Sequence, residues 1–212
     1  MRDEKLIKLI KISLLAVIAF LLMYIELPIP IFPSFLKIDI SDLPALLGAF
    51  ALGPIAGVII ELVKNILHGV FASSTALVGE FANFLVGSCL VLVSGYIYKV
   101  RKSKGGAMAG LLIGIVCMSI FAAILNYFVI LPLYEKVLGF PIAAVVGMGS
   151  KINHNIKDLN SFVIWMIIPF NLFKGIIISV MTLALYKSVS PILHKENIKS
   201  EYKNRNKITK KI

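Results

Sequence analysis

Only 2 cysteines, 3 histidines and 11 acidic side chains occur among 212 residues, and each shortage closes off a class of chemistry. Cys89 and Cys117 lie inside apolar runs with no partner at metal-ligand spacing, so they read as small buried hydrophobes rather than a disulfide or thiolate site. His68, His154 and His194 form no H-E-x-x-H or comparable ligand pattern. There is no Ser-His-Asp set, no G-x-S-x-G and no phosphate-binding G-x-x-x-x-G-K-S/T, which leaves the chain without visible means of hydrolysing ATP. None of these residues calls for a metal or a cofactor.

What fills the chain instead is hydrocarbon. It is 58% hydrophobic, with a mean hydropathy of +0.91, against about 45–50% apolar usage in soluble domains. This is the composition of an integral membrane protein. The net charge of +11 points to membrane topology rather than to nucleic acid, because 16 of the 22 Lys and Arg fall in residues 1–11, 99–104 and 187–212. Basic clusters beside apolar spans mark cytoplasmic segments.

The first apolar run, Ile12 to Ile25, is followed by Glu26 and a Pro28-Ile-Pro30 turn with no small-residue cleavage pattern. It therefore reads as a transmembrane helix, with Lys8 and Lys11 snorkelling from its start, and not as a signal peptide. Phe81 to Tyr98 and Gly105 to Tyr134 carry no formal charge, and Ser161 to Tyr186 is broken only by Lys174. Leu43 to Val70 is interrupted by Gly53-Pro54 and could cross once or twice. A single crossing would put "KVRKSK" at 99–104 opposite the basic N-terminus, whereas two crossings put all three basic clusters on the cytoplasmic side.

The expected fold is thus all-α: six transmembrane helices at about 6–25, 42–52, 54–70, 78–98, 106–132 and 162–187, with both termini cytoplasmic. Residues 1–192 form one transmembrane domain and 193–212 a basic cytoplasmic tail. The second helix would reach only about 16 Å of a roughly 30 Å hydrocarbon core, so buried loop must complete it. That loop is the extracellular "ELPIPIFPSFLKIDI", Glu26 to Ile40, whose three prolines and apolar side chains suit an ordered lid. A second extracellular connection, Glu135 to Asn160, starts apolar and turns polar at "KINHNIKD". Gly106, Gly110 and Gly114, and Gly53 with Gly57, carry the small-residue spacing of close helix packing.

Polar side chains converge in the extracellular half. Glu80 and Asn83 share a face of the fourth helix, Asn126 and Tyr127 lie near the end of the fifth, and Asn171 and Lys174 share a face of the sixth below Pro169. They either satisfy one another, as in a Glu80–Lys174 ion pair, or form a binding site, which is the usual reading of ionisable groups inside a membrane. On the third helix Glu61, Lys64, Asn65 and His68 share a face: Glu61 and Lys64 form either a structural pair or part of the site wall, and His68 reads as a helix-end histidine.

"KIDISDLPALLGAFALGPIAGVIIELVKNILHG", "VGEFANFLVG", "NYFVILPLY" and "PFNLFKG" together resemble the riboflavin-specific S components of energy-coupling factor (ECF) transporters, over about residues 10–192. The resemblance implies a bacterial cell-membrane protein that captures riboflavin, with FMN a further candidate, and docks onto a transmembrane coupling subunit carrying two cytoplasmic ATPases. It implies that Asn126 and Asn171 pair with the uracil-like edge, that Lys174 donates to a ring carbonyl or nitrogen, and that Glu80 and Asn83 hold ring donors or hydroxyls. Tyr127, Phe35 and Leu36 would cover the ring, and Asp42, Leu43 and Lys64 would complete the wall. The family's Ala-x-x-x-Ala docking face on the first helix is replaced here by Ser13, Ala16 and Ala19. Two alternatives stand beside this reading: an S component for another vitamin, and an intramembrane enzyme using Glu61, Glu80 or His68.

Overall fold

The computed structural model describes residues 2–186; residue 187 of the expected sixth helix and the tail at 193–212 lie outside them. Seven helices are present among the described residues: α1 (Arg2–Met23), α2 (Asp42–Leu52), α3 (Pro54–Ala72), α4 (Val78–Val100), α5 (Lys104–Leu138), α6 (Ile142–Ile152) and α7 (Leu159–Tyr186). Five of these are long and apolar enough to cross a membrane, and the 11-residue α2 is the short sixth member of the bundle. A two-stranded antiparallel ribbon, β1 (Leu27–Pro28) with β2 (Lys37–Ile38), folds the loop between α1 and α2, here loop 1, back over the bundle.

The α2–α3 reversal rests on Gly53, whose φ of +104° lies where a side chain is strained, followed at once by Pro54 as the first residue of α3. The helices on either side then pack tightly. A Cβ added at Gly57 would stand 2.7 Å from Ala49 Cβ and 2.8 Å from the Ala45 carbonyl oxygen, both on α2. Ala45 and Ala49 are buried, so α2 has nowhere to retreat. Gly57→Val is accordingly expected to lower stability by about 1–3 kcal/mol, read as a lower thermal midpoint in detergent.

The small residues of α1 are used in the same way, which corrects one expectation. Ala16 and Ala19 are both 0% exposed and belong to the core formed with Leu46, Ile60 and Leu90, while Ser13 faces outward. The three residues therefore do not form a common docking face. Small side chains let helices approach closely, and α1 packs on α2 and α3 through them. The surface that α1 presents outward is Leu14, Val17, Ile18 and Leu21.

Along α5, Gly110 and Gly114 close the seam with α4, where added Cβ atoms would stand 2.8 Å from the Ser94 carbonyl oxygen and 3.2 Å from that of Leu90. At the end of the bundle that holds the α2–α3 turn, Phe50 packs against Tyr98 and Tyr186, whose hydroxyls are 2.9 Å apart.

At the opposite end, two helices depart from α geometry. Asn126–Ile130 in α5 and Val163–Ile167 in α7 are π segments, each two residues ahead of a proline, Pro132 and Pro169. A proline inside a helix removes a donor and crowds the preceding turn, and one extra residue per turn absorbs both defects. This is why α5 continues to Leu138 rather than stopping near 132. α7 starts on a capping box: the Asp158 carboxylate accepts from the Ser161 N–H at 2.8 Å, and the Ser161 hydroxyl oxygen accepts from the Asp158 N–H at 3.0 Å. The bonds from Ser161 hold the Asp158 carboxyl below its ordinary value.

α6 occupies part of the connection expected to be loop. Its Gly149 lies against Phe162 of α7, where an added Cβ would come within 2.7 Å of the ring.

Candidate functional site: a loop-capped polar cavity

Below loop 1 lies a cavity of about 320 Å³, at the lower end of the range typical for small-molecule sites. Its apolar walls come from Val86 of α4, Ile130 and Leu131 of α5, Ile167 and Phe170 of α7, and Phe35 and Leu36 of loop 1. Loop 1 is pinned over it by aromatic contacts to α7: Phe32 meets Phe170 edge-on at 5.3 Å and Phe35 stacks on Phe162 at 6.3 Å. A smaller apolar cavity of about 240 Å³ adjoins it and shares Phe35, Leu131 and Tyr134.

The polar lining is of three kinds. The first is a pair of amides. Asn126 and Asn171 each donate through Nδ2 to the carbonyl four residues earlier, Ala122 and Ile167, at 2.8 Å. This fixes both side chains and leaves each Oδ1 and a second N–H for a ligand.

The second is Glu80, held at the start of α4 by His68 Nδ1 at 2.9 Å, the Ser73 hydroxyl at 3.0 Å and the Thr75 hydroxyl at 3.1 Å. The turn that supplies those hydroxyls has two non-glycine residues at positive φ, Ala76 and Leu77. It is held by Ser73 Oγ accepting from the Leu77 N–H at 3.1 Å and Thr75 Oγ1 accepting from the Gly79 N–H at 3.0 Å.

The third is a buried charge network that begins at the cavity floor and runs away from it. Lys174 Nζ lies 3.1 Å from Asp39 of loop 1, 3.2 Å from Asp42 of α2 and 3.3 Å from Asn83 Oδ1 of α4. Behind it, Lys64 Nζ donates to Asp42 and, at 2.8 Å, to the Ser41 hydroxyl, and lies 2.9 Å from Glu61. Ser41 in turn donates to Asp39 through both its hydroxyl and its N–H. Burial alone would push the Asp39 carboxyl up, yet the Lys174 and Lys64 ammoniums and the Ser41 hydroxyl together outweigh it and hold the carboxyl below its ordinary value.

Several expectations change with this geometry. Glu80 and Lys174 do not pair: Glu80 is satisfied by His68 and two hydroxyls, while Lys174 is neutralised by Asp39 and Asp42. Of the anticipated wall, Glu80, Asn83, Asn126, Asn171, Lys174, Phe35 and Leu36 line the cavity. Tyr127 does not; it packs beside Phe128, and the tyrosine that reaches the cavity from α5 is Tyr134, beyond the π segment that changes the helix phase. Leu43 is in the hydrophobic core, and Asp42 and Lys64 stand behind Lys174 rather than on the wall. Glu61 and Lys64 do adjoin each other, but within a larger network. His68 is more than a helix end, since it braces Glu80 and lines the cavity.

Besides Tyr134, sequence reasoning missed Asp39. Its signal was an acid two residues before Ser41-Asp42, in a loop whose other charges are Glu26 and Lys37.

The fold and the site define an α-helical membrane protein with a cavity of small-molecule size near one face beneath an ordered loop. Residues 7–186 match the family described as ECF transporter, substrate-specific component, and the chain belongs to that family of transport subunits. It is 41% identical over 186 residues to the riboflavin transporter RibU of Staphylococcus aureus (strain TCH60), covering 88% of this chain and 92% of that one. It is 35% identical to the riboflavin transporter FmnP of Bacillus subtilis (strain 168), covering 91% and 96%. Among solved structures, the S component of a bacterial ECF transporter superposes with a TM-score of 0.70 at 40% identity, over 91% of this chain and 99% of that chain.

Proposed function

We propose that this protein captures riboflavin in the cavity beneath loop 1 and delivers it as the substrate-binding subunit of an ECF-type importer. In this reading loop 1 faces outward and both termini are cytoplasmic, the orientation that the positive-inside bias of the basic clusters supports. The energy comes from a transmembrane coupling subunit with two cytoplasmic ATPases.

The observation that carries the reading is the pair of immobilised amides, Asn126 and Asn171, on two facing helices of a cavity that combines apolar walls with polar side chains. A flavin has a flat apolar ring system with a uracil-like edge of alternating acceptors and a donor. Two fixed amides match that edge, and Phe35, Leu36 and Tyr134 supply the apolar cover. Glu80 and Asn83 are left for ring donors or ribityl hydroxyls. The names of the relatives, riboflavin transporters at 41% and 35% identity, agree with this assignment.

The visible absorption spectrum of the purified protein and titration of riboflavin fluorescence test it. Co-purified flavin or strong quenching is expected, and a colourless protein that leaves riboflavin fluorescence unchanged would sink the reading. FMN belongs in the same titration, to measure what a terminal phosphate does to binding.

The geometry also separates the two tyrosines. Tyr134→Ala is expected to weaken riboflavin binding about tenfold, the size of a lost aromatic contact, whereas Tyr127→Ala leaves affinity within about twofold. The same fluorescence titration checks both.

A further inference from the structure

The network behind the cavity contains three carboxylates, Asp39, Asp42 and Glu61, and two ammoniums, Lys64 and Lys174, all buried. With every group ionised it carries one uncompensated negative charge inside the membrane, a state that proteins avoid. Glu61 is the member whose environment fits the neutral form. It is 0% exposed, and neither of its carboxyl oxygens has a hydrogen-bond partner. Lys64 comes within 2.9 Å of it, but the aligned donations of that ammonium go to Asp42 and Ser41.

A metal ion does not fit beside Glu61. Gly87 of α4 lies so close that an added Cβ would stand 2.7 Å from Glu61 Oε2, and Glu61 lines neither of the two cavities described above.

The odd charge comes from loop 1. Without Asp39, the network is balanced: Asp42 and Glu61 against Lys64 and Lys174. In the seated loop, Asp39 joins the network through its contact with Lys174 and the Ser41 relay to Lys64. We propose that seating loop 1 over the cavity takes up one proton from water, held as the neutral carboxylic acid of Glu61. One O–H bond forms on Glu61, and no other bond changes. Lid closure and protonation are then linked, and affinity for a ligand that requires the closed lid falls as pH rises, by at most tenfold per pH unit for one proton.

The other titratable groups near α3 are otherwise engaged. From α1, Tyr24 packs on His68 at 5.6 Å; from α4, Glu80 is bonded to His68; from α2 and α7, Asp42 and Lys174 pair within the network. His68 is therefore the competing proton acceptor that a test must separate from Glu61.

The inference rests on loop 1 covering the riboflavin site, so the test has one arm with ligand and one without. With ligand, calorimetric titration of riboflavin in buffers of different ionisation enthalpy should give an uptake approaching one proton per riboflavin in the wild type and near zero in Glu61→Gln and Asp39→Asn. The proton count per riboflavin bound should survive in His68→Gln even where affinity falls, because His68 lines the cavity. Without ligand, the infrared carbonyl band of a protonated carboxylic acid should grow in the wild type as the pH is lowered from about 8 to about 6, and stay missing from both Glu61→Gln and Asp39→Asn. Asp39→Asn should remove it because the remaining network is balanced with Glu61 ionised.

Riboflavin binding with no proton uptake at any pH would overturn the proposal, as would uptake that persists in Glu61→Gln or vanishes only in His68→Gln. Absence of riboflavin binding would instead overturn the functional reading, and the infrared band would still decide the protonation of Glu61. Gln is the uncharged isostere of the protonated side chain, so Glu61→Gln is expected to fold; Asp39→Asn provides an independent variant at the loop.

Discussion

Lys174→Ala is expected to abolish measurable riboflavin binding and to lower stability by about 3–5 kcal/mol, the cost of breaking a buried ion pair from one side. Lys174 is 7% exposed and holds three partners from three different segments: Asp39 in loop 1, Asp42 in α2 and Asn83 in α4. Truncation leaves both carboxylates buried with only Lys64 nearby and removes the contact that ties loop 1 to the cavity floor. Fluorescence titration reads the first effect and thermal unfolding in detergent, without ligand, reads the second. The double variant Lys174→Ala/Asp39→Asn should regain part of the stability, since one orphaned charge is gone, but not the binding. Unchanged affinity in the single variant would reduce Lys174 to a structural role.

Lys64→Met should cost about as much stability, roughly 3–5 kcal/mol, with a different binding outcome. Lys64 is 0% exposed and stands among Asp42, Glu61 and Ser41 without touching the cavity. Methionine keeps most of its length and removes only the charge. The folded fraction of this variant should therefore bind riboflavin within a few fold of the wild type, while the thermal midpoint falls. Affinity that drops as steeply as in Lys174→Ala would mean that the two lysines act on the ligand as one unit.

The contrast between these lysines was only half legible in the sequence. Both are cations in apolar helices, and helical spacing placed Lys174 with Asn171 and Lys64 with Glu61. Those relations are local, and the Lys64–Glu61 distance of 2.9 Å follows from them. The partner of Lys174 is 135 residues away in the chain, in a loop whose path over the bundle no periodicity encodes. The tyrosines of α5 illustrate a second limit. Asn126 and Tyr127 are adjacent in sequence, yet the π segment at Asn126–Ile130 changes the helix phase, and Tyr134 reaches the cavity instead. α6 was hidden for a further reason: Gly147 and Gly149 are poor helix formers, whereas Gly149 is required by contact with Phe162.

By itself the sequence determined the membrane class, the six helices of the bundle, the short second helix and the end of the bundle at which polar groups gather. Each follows from hydrocarbon content, the distribution of lysine and arginine, and a Gly-Pro break, and none needs a long-range contact. Tertiary structure alone decided which charges meet, because a buried ion pair is set by which helices and loops approach one another. It also decided that Ala16 and Ala19 face inward, since the same small side chains suit either an internal seam or an external one. Only the folded chain brings Asp39 to Lys174, and that contact makes loop 1 part of the charge balance inside the membrane.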